Sequence, residues 1–221
     1  MKYIGNKNIP GVLELLVNNL PKSQRYFSLF FGSGGFETSK YTDDAYFICS
    51  DKNKDCKKYE SNTAVLEYFD YQYLIDDFIF TPDDFVFADP PYTFSTRRSN
   101  RKYYKYEFDD NDHLKFLNSM RCLNAKIMIT HPKCKKYNDI LKNWIKIPFE
   151  YQTRKGIFKD CLWMNYRTSD IELLNYDALG KNFIDRQAIK RQRKNIINKF
   201  ENMDIHIRRK IFKDLEYLIN N

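Results

Sequence analysis

No part of the sequence is apolar over the roughly 18 consecutive residues that a membrane-spanning helix needs. The first residues, Met1 to Lys7, also lack the apolar segment of a secretory signal peptide. The five cysteines are scattered and form no C-x-x-C pair, which argues against a disulfide framework and against a zinc site. The three histidines are equally dispersed, so no metal site is predicted. We therefore expect a globular, soluble, cytoplasmic protein with reduced thiols and no membrane association.

Glycine is scarce too, and none of the seven glycines leads into a Gly-Lys-Ser or Gly-Lys-Thr triplet, which disfavours a phosphate-binding P-loop. Three of them lie in one turn, Phe30 to Phe36, between a predicted strand and a predicted helix. Glycine lets the backbone turn sharply and lets a ligand approach closely, and nucleotide, flavin and methyl-donor sites all use such turns. Asp51 ends the next strand, where an acid either holds ribose hydroxyls or simply forms a turn.

The last part of the chain is short of acidic residues. Residues 178–221 hold 11 Lys/Arg and 5 Asp/Glu, so +6 of the total net charge of +8 lies there. A basic tail on a near-neutral body suggests a polyanion partner, most simply nucleic acid, and the alternative is a solvated helical face that binds nothing. We expect two helices, 182–203 and one capped by Asp204, whose apolar stripes pack on each other or on the body.

Strands and helices alternate along the rest of the chain. Apolar patterning predicts strands over 25–31, 46–50, 85–88 and 126–130, a strand or helix over 64–69, helices over 11–19 and 113–122, and late strands over 144–151 and 161–166 joined by the loop 152–160 as a hairpin. We expect Leu114, Leu117 and Met120 to share one side of the second helix. This alternation favours an α/β sheet with helices on both faces and ligands at the carboxyl ends of its strands. Residues 1–176 are predicted to form one domain and residues 177–221 a basic helical extension.

The tetrapeptide Asp89-Pro90-Pro91-Tyr92 follows a buried strand and suits the binding of a flat base that carries an amine. The carboxylate and the Pro90 carbonyl are two hydrogen-bond acceptors for the amine, and the prolines fix the backbone that presents them. The Tyr92 ring can stack on the face of the base. The alternative is an ordinary Pro-Pro turn with Tyr92 in the core.

Four motifs, in this order, resemble those of the Dam-type adenine-N6 DNA methyltransferases, and the resemblance runs from Lys2 to about Tyr166. They are Y-I-G-N-K at 3–7, F-F-G-S-G at 30–34, S-D-K-N at 50–53 and D-P-P-Y at 89–92. The resemblance implies a Rossmann-like S-adenosylmethionine-dependent methyltransferase sheet with a late antiparallel hairpin. It also implies that the cofactor is surrounded by Tyr3, Lys7, Phe30, Gly32, Ser33, Gly34, Asp51 and Asp89, with Asp70 and Tyr71 beside its adenine.

Two departures from the family pattern stand out. Ser28 occupies the position, two residues before the motif phenylalanine, where the family usually has an acid, so an acid-to-cofactor hydrogen bond is in doubt. Many relatives also carry a helical target-recognition region between the glycine motif and D-P-P-Y, whereas here only residues 37–88 lie between them. We therefore expect the usual recognition region to be missing, and with it a long recognition sequence.

The chemistry implied for Asp89, Pro90, Pro91 and Tyr92 is a direct methyl transfer to an exocyclic amine. Because the amine lone pair is delocalised into the ring, two acceptors are needed to aim it at the donor methyl, and catalysis is positioning plus electrostatics. Inside a duplex the amine is out of reach, so the adenine must be flipped out and stacked on Tyr92.

Three basic segments are candidates for contact with DNA. The segment Ser95 to Tyr106 has five basic residues, three tyrosines and no acid, and is read either as a phosphate-gripping loop or as a disordered surface loop. The others are the hairpin turn and the tail. The predicted DNA-binding residues are Arg97, Arg98, Arg101, Lys102, Arg154, Lys155, Arg186, Lys190, Arg191, Arg193 and Lys194.

The sequence therefore predicts an enzyme that methylates N6 of a flipped adenine in double-stranded DNA, with S-adenosylmethionine as cofactor. Cytosine-N4 methylation and adenine-N6 methylation of RNA remain open alternatives, since both use a similar amine. A catalytically idle DNA-binding module is the alternative from another class. The oligomeric state is left open.

Overall fold

The computed structural model describes residues 6–97, 99, 101–153, 156–176 and 178–220. The chain divides into two units, Met1–Tyr176 and Asp177–Asn221. Within the described residues, one seven-stranded sheet forms the centre of the first unit, in the order β3-β2-β1-β4-β5-β7-β6. The strands are β1 Arg25–Ser28, β2 Phe47–Ser50, β3 Ala64–Tyr68, β4 Asp84–Ala88, β5 Lys126–His131, β6 Ile145–Thr153 and β7 Gly156–Met164.

The first five strands are parallel, and β7 runs antiparallel to both β5 and β6. This confirms the predicted α/β sheet with a late antiparallel hairpin, and the ambiguous segment 64–69 is a strand. The hairpin is longer than predicted, because β6 continues to Thr153 and β7 begins at Gly156. The predicted loop 152–160 is therefore mostly strand, which places Asp160 in the sheet.

The helices of the first unit are α1 Val12–Val17, α2 Tyr71–Asp77, α3 Asp110–Cys122 and α4 Lys135–Ile140. Asp109 caps α3 by accepting hydrogen bonds from the N–H groups of Asn111 and Asp112. The buried side of α3 contains Phe116, Leu117 and Met120, whereas Leu114, predicted to share a side with Leu117 and Met120, is 39% exposed. Short 3₁₀ turns lie at Lys54–Tyr59, Phe94–Thr96 and Thr168–Asp170.

The central strands form the hydrophobic core, because their side chains are buried on both faces of the sheet. All five residues of β4 are buried, including Asp84, which begins the strand. Its charge is matched by Arg25 at the start of β1, with 2.7 Å between Nη2 and Oδ2. The ion pair compensates both charges. It lies at the amino ends of β1 and β4, so it does not occupy the carboxyl ends of the strands.

The glycine turn does not open a helix as predicted; residues 35–42 form a series of turns instead. The Thr42 hydroxyl lies within hydrogen-bond distance of the carbonyls of Phe36, Glu37 and Ser39, at 3.2, 3.0 and 2.8 Å. A side chain that competes for these carbonyls offers the backbone an alternative to the helical hydrogen-bond pattern.

The second unit contains α5 Phe183–Glu201 and α6 Ile205–Asn220, with Asp204 capping α6 through the His206 N–H as predicted. Of the two apolar stripes, Ile196 is 60% and Leu218 72% exposed, whereas Phe200, Met203 and Ile211 are half-buried. No helix in the described part of the chain is long and apolar enough to cross a membrane.

Candidate active site

Neighbouring strands bring the three central motifs to one edge of the sheet. Strand β1 pairs with β2 on one side and β4 on the other, with Ser28 opposite both Cys49 and Phe87. The glycine turn, Asp51 and Asp89 follow these three strands, so parallel pairing places them side by side. A direct contact joins two of the motifs: the Gly32 N–H donates to Asp51 Oδ2 at 2.8 Å.

The glycines of this turn are required by backbone conformation and close packing. Gly32 and Gly34 have φ angles of +57° and +63°, the left-handed region that other residues rarely adopt. At Gly35 an added Cβ would lie 2.0 Å from Asn6 Oδ1. The turn is therefore packed against the end of the amino-terminal motif, which brings Lys7 close to it.

Asp51 is held by the backbone on both carboxylate oxygens. Oδ2 accepts from Gly32, and Oδ1 accepts from the Asn53 N–H at 2.7 Å. Burial raises the pKa of Asp51, and these two N–H donors act against that rise. The carboxylate is thus fixed in orientation at the edge of a cavity.

A cavity of about 320 Å³ lies over these strand ends. Of the predicted cofactor residues, its lining includes Lys7, Phe30, Gly32, Ser33, Asp51, Tyr71 and Asp89. Gly34 is instead packed beneath the turn against the Phe31 ring. Asp70 caps α2 by accepting from the Gln72 N–H at 3.0 Å and pairs with Lys52 at 2.9 Å, and Tyr3 lies outside the described residues.

One end of the cavity is an aromatic wall. The Phe30 ring centroid lies 5.3 Å from that of Tyr71, 5.5 Å from Phe108 and 5.4 Å from Phe116. Tilted and edge-on contacts at these separations hold the rings rigidly. An aromatic wall in the same cavity as Asp51 fits the nucleoside part of a cofactor, because the acid can take ribose hydroxyls while the rings cover the base.

Asp89 stands at the carboxyl end of β4 with two partners. The Lys7 Nζ lies 2.8 Å from Oδ1, and the Thr130 hydroxyl donates to the same oxygen at 2.7 Å. Burial raises the pKa of Asp89, and Lys7 and Thr130 oppose the rise. Both short contacts are to Oδ1, so Oδ2 can face a ligand.

The Tyr92 hydroxyl is hydrogen-bonded to Asp160, which the sequence motifs did not identify as a site residue. The phenol accepts a hydrogen bond from Lys7 Nζ at 2.9 Å and donates to Asp160 Oδ2 at 2.6 Å. Tyr151 donates to the same oxygen at 3.1 Å. Asp160 is only 4% exposed, and its alignment with these phenols depends on the hairpin register that pairs it with Phe149.

His131, at the end of β5, holds the backbone that follows the tetrapeptide. Its Nε2 accepts from the Thr93 N–H at 3.1 Å, and Nδ1 lies 2.7 Å from the Pro132 carbonyl. The ring also stacks on Tyr137, with centroids 3.8 Å apart. Burial lowers the pKa of His131 well below its usual value, so the neutral ring positions the chain and carries no charge.

Arg97, predicted to grip phosphates, is turned inward. Its side chain is 3% exposed, donates to the Tyr92 carbonyl from Nε at 2.8 Å and forms an ion pair with Glu107. Glu107 also accepts from the N–H groups of Tyr103 and Tyr104, at 2.7 and 3.0 Å. We call this Arg97–Glu107 contact the clasp. The contact holds residues 101–107 against Arg97, and Tyr103, Tyr104, Lys105 and Tyr106 of this segment contribute to the wall of the cavity.

The sequence does not indicate the clasp, because Glu107 lies one residue beyond the basic segment Ser95 to Tyr106. Arg101 and Lys102 are exposed, as are Lys190, Arg191, Arg193 and Lys194 of α5, while Arg186 is half-buried. Arg98, Arg154 and Lys155 lie outside the described residues. The placement of Arg97 does not support a direct phosphate contact, because its donors are already engaged within the protein.

The sheet order, the glycine turn and the cavity at the strand ends define a Rossmann-like S-adenosylmethionine-dependent methyltransferase. The family model of the D12 class N6 adenine-specific DNA methyltransferases matches residues 39–156, and the chain belongs to that family. The match confirms the Dam-type resemblance, and S-adenosylmethionine is the cofactor. No curated protein sequence matches the chain.

Solved structures of similar fold come from several organisms. A putative RNA methyltransferase from Pyrococcus horikoshii is 13% identical, with 70% of this chain and 81% of that chain covered and a TM-score of 0.43. A SAM-dependent methyltransferase from Agrobacterium tumefaciens is 14% identical, with 69% and 58% covered and a TM-score of 0.45. Magnesium protoporphyrin IX methyltransferase from Synechocystis, solved with bound SAM, is 10% identical, with 71% and 76% covered and a TM-score of 0.43.

Proposed function

We propose that this protein transfers a methyl group from S-adenosylmethionine to N6 of an adenine flipped out of double-stranded DNA. The observation that carries the proposal is the position of Asp89, whose carboxylate faces the same cavity as the glycine turn and Asp51. A methyl acceptor held by Asp89 would therefore lie next to the cofactor. Membership of the D12 class family supports DNA adenine as that acceptor.

Asp89 and Pro90 hold the acceptor amine in this proposal. Asp89 Oδ1 is occupied by Lys7 and Thr130, which leaves Oδ2 to accept a hydrogen bond from the amine. The Pro90 carbonyl accepts the second, so the nitrogen lone pair points away from both acceptors and toward the cofactor cavity. When bound, S-adenosylmethionine supplies a methyl group activated by its sulfonium. The new nitrogen–carbon bond would form as the carbon–sulfur bond breaks, with the electron pair left on sulfur, and one amine proton would pass to Asp89 or to water.

Tyr92 would hold the flipped base in place. A stacking ring is effective when it is already immobile, because little rotamer freedom is then lost on binding. The hydroxyl contacts of Tyr92 with Lys7 and Asp160 anchor the ring at its far end. The His131 ring lies edge-on, with centroids 5.2 Å apart. The face left open by these contacts is proposed to take the adenine.

The basic extension is proposed to bind the DNA backbone. Four of its predicted contact residues, Lys190, Arg191, Arg193 and Lys194, are exposed on α5. Exposed cations on one helix neutralise phosphates without reading bases, which adds affinity more than selectivity. Arg101 and Lys102 are exposed in the segment closed by the clasp and would act at the site itself.

We also propose that the recognition sequence is short or relaxed. The elements β2, β3, α2 and β4, with the turns around them, account for residues 37–88, where many relatives carry a recognition region. Methylome sequencing after expression in an unmethylated host tests this directly. A long, strict recognition sequence would refute it.

Methyl transfer itself is tested with purified protein, radiolabelled S-adenosylmethionine and unmethylated DNA, followed by nucleoside analysis. We expect N6-methyladenine from the wild type, none from Asp89→Ala, and wild-type amounts from Asp43→Ala, a matched change at an exposed carboxylate. Labelled N4-methylcytosine, or preferential labelling of competing RNA, would establish one of the alternative substrates. Unlabelled DNA and RNA would overturn the proposal in favour of a DNA-binding module.

A further inference from the structure

Glu37 is a buried acid on the wall of the cofactor cavity, and it belongs to none of the four sequence motifs. It directly follows the glycine turn and is 2% exposed. Its carboxylate accepts a hydrogen bond from the Ser28 hydroxyl, at 2.5 Å, from the end of β1. An acid this deeply buried is retained at a cost in folding free energy, which calls for an explanation.

The surroundings of Glu37 provide no cationic partner. Among the residues that the structure describes, no lysine or arginine nitrogen lies within 4.0 Å of its carboxylate. The Ser28 hydroxyl at the end of β1 is its side-chain hydrogen-bond partner, and the titratable groups that interact with it electrostatically include the Cys49 thiol on β2 and the Asp89 carboxylate after β4. Lys7, the cation of this region, is paired with Asp89.

The other two acids at these strand ends are already satisfied. Asp51 is held by two backbone N–H groups, and Asp89 by Lys7 and Thr130. Glu37 has hydrogen-bond donors but no cationic partner, and it lines the cavity, so its carboxylate can meet a positive charge there. S-adenosylmethionine carries two such charges, the sulfonium and the α-ammonium of its methionine part.

We propose that Glu37 binds the α-ammonium of S-adenosylmethionine, with the Ser28 hydroxyl orienting its carboxylate. The absence of an acid at position 28 is then compensated by an acid nine residues further along the chain. The proposal depends on the cofactor-binding part of the proposed function and is independent of which nucleic acid is methylated.

A pH dependence of cofactor binding follows. Burial raises the pKa of Glu37 to about 7, with a further rise from Asp89, while Ser28 and the backbone N–H groups of Phe36 and Glu37 lower it. The free protein is therefore largely protonated at Glu37 below this pH, and an ammonium favours the ionised form. Binding must expel the proton at low pH, so affinity rises from pH 6 to 7.5, a range in which an α-amino group, with a pKa of about 7.7 to 8.0, stays mostly charged.

Calorimetry with two analogues of the cofactor tests whether Glu37 binds the α-ammonium. S-adenosylhomocysteine keeps the α-ammonium, whereas 5′-methylthioadenosine lacks the whole amino-acid part. We expect Glu37→Gln to weaken S-adenosylhomocysteine binding by about tenfold or more, the range of a charged hydrogen bond, and to change methylthioadenosine binding less than about twofold. Equal weakening of both ligands, or of neither, would overturn the assignment.

The pH arm uses the same ligand and adds a second variant. The rise in affinity between pH 6 and 7.5 should vanish in Glu37→Gln and move to higher pH in Ser28→Ala, which keeps the acid but loses a donor that lowers its pKa. If Glu37→Gln fails to fold, the Ser28→Ala curve decides: an unshifted rise refutes the proposal. Wild type that binds S-adenosylhomocysteine yet methylates no nucleic acid would refute the proposed function alone.

Discussion

Tyr92 donates a 2.6 Å hydrogen bond to Asp160, a residue 68 positions away in the last strand of the sheet. Asp160 in turn accepts from Tyr151, so two phenols share one buried carboxylate oxygen. Burial and the nearby carboxylates of Asp89 and Asp160 raise the pKa of Tyr92 well above its usual value. The phenol therefore stays protonated and acts as an anchor for the ring, and the ring face is the part of Tyr92 proposed to contact the base.

Tyr92→Phe separates the anchor from the ring. The substitution keeps a stacking surface but removes the hydrogen bonds with Lys7 and Asp160, so we expect methylation to fall by about tenfold, a reduction comparable to one hydrogen bond with a charged group. Tyr92→Ala should lower it much further, since the platform itself is gone. Steady-state kinetics on one DNA substrate measures both. Equal activities of the two variants would show that the hydroxyl alone matters.

Lys7→Met tests the electrostatic support of Asp89. Without the Lys7 cation, less opposes the effect of burial, so the pKa of Asp89 rises further. Because the ionised acid is the better acceptor, activity should be lost at a higher pH than in the wild type as pH falls.

The pH profile of kcat at saturating cofactor gives the measurement, since cofactor binding has its own pH dependence. Lys22→Met is the matched control, because Lys22 is exposed and pairs with surface Glu172. An unshifted profile in Lys7→Met would contradict the role given to Lys7.

Glu107→Gln opens the clasp. Arg97 is buried, and removal of its charged partner should lower the free energy of unfolding by about 3–5 kcal/mol, the range for breaking a buried pair. Cofactor affinity should fall as well, since Tyr103 to Tyr106 form part of the cavity wall. Urea denaturation and calorimetry measure the two effects. Arg101→Ala, at an exposed arginine of the same segment, should leave both unchanged.

Removing positive charge from α5 should weaken DNA binding without touching the cofactor site. In a variant with Lys190→Ala, Arg191→Ala and Lys194→Ala, the slope of log affinity against log salt should become shallower by about 0.9 for each phosphate that is no longer neutralised. Fluorescence anisotropy across a salt series reads this slope. Lys142→Ala, an exposed lysine of the first unit, serves as control. An unchanged slope in the triple variant would remove the tail from the interface.

The parts of the site that the sequence predicted are those with local requirements. Gly32 and Gly34 need left-handed backbone, and Asp51 and Asp89 each end an apolar strand, so their positions follow from short stretches of chain. Parallel pairing then brings them together without further information. The alternation of elements predicted the sheet for the same reason, whereas the hairpin length and the exposed side of α3 depended on tertiary packing.

By itself, then, the sequence determined the methyltransferase sheet, the cofactor turn and the tetrapeptide that faces it. Only the tertiary structure decided how these are supported: Asp160 behind Tyr92, Glu37 beside Ser28, and Arg97 turned inward to Glu107. The physical reason is that a buried charge or phenol needs a hydrogen-bond partner, and strand register and turns decide which residue lies close enough to be that partner. That partner can lie 68 positions away in the sequence, as it does for Tyr92, and no local sequence pattern predicts it.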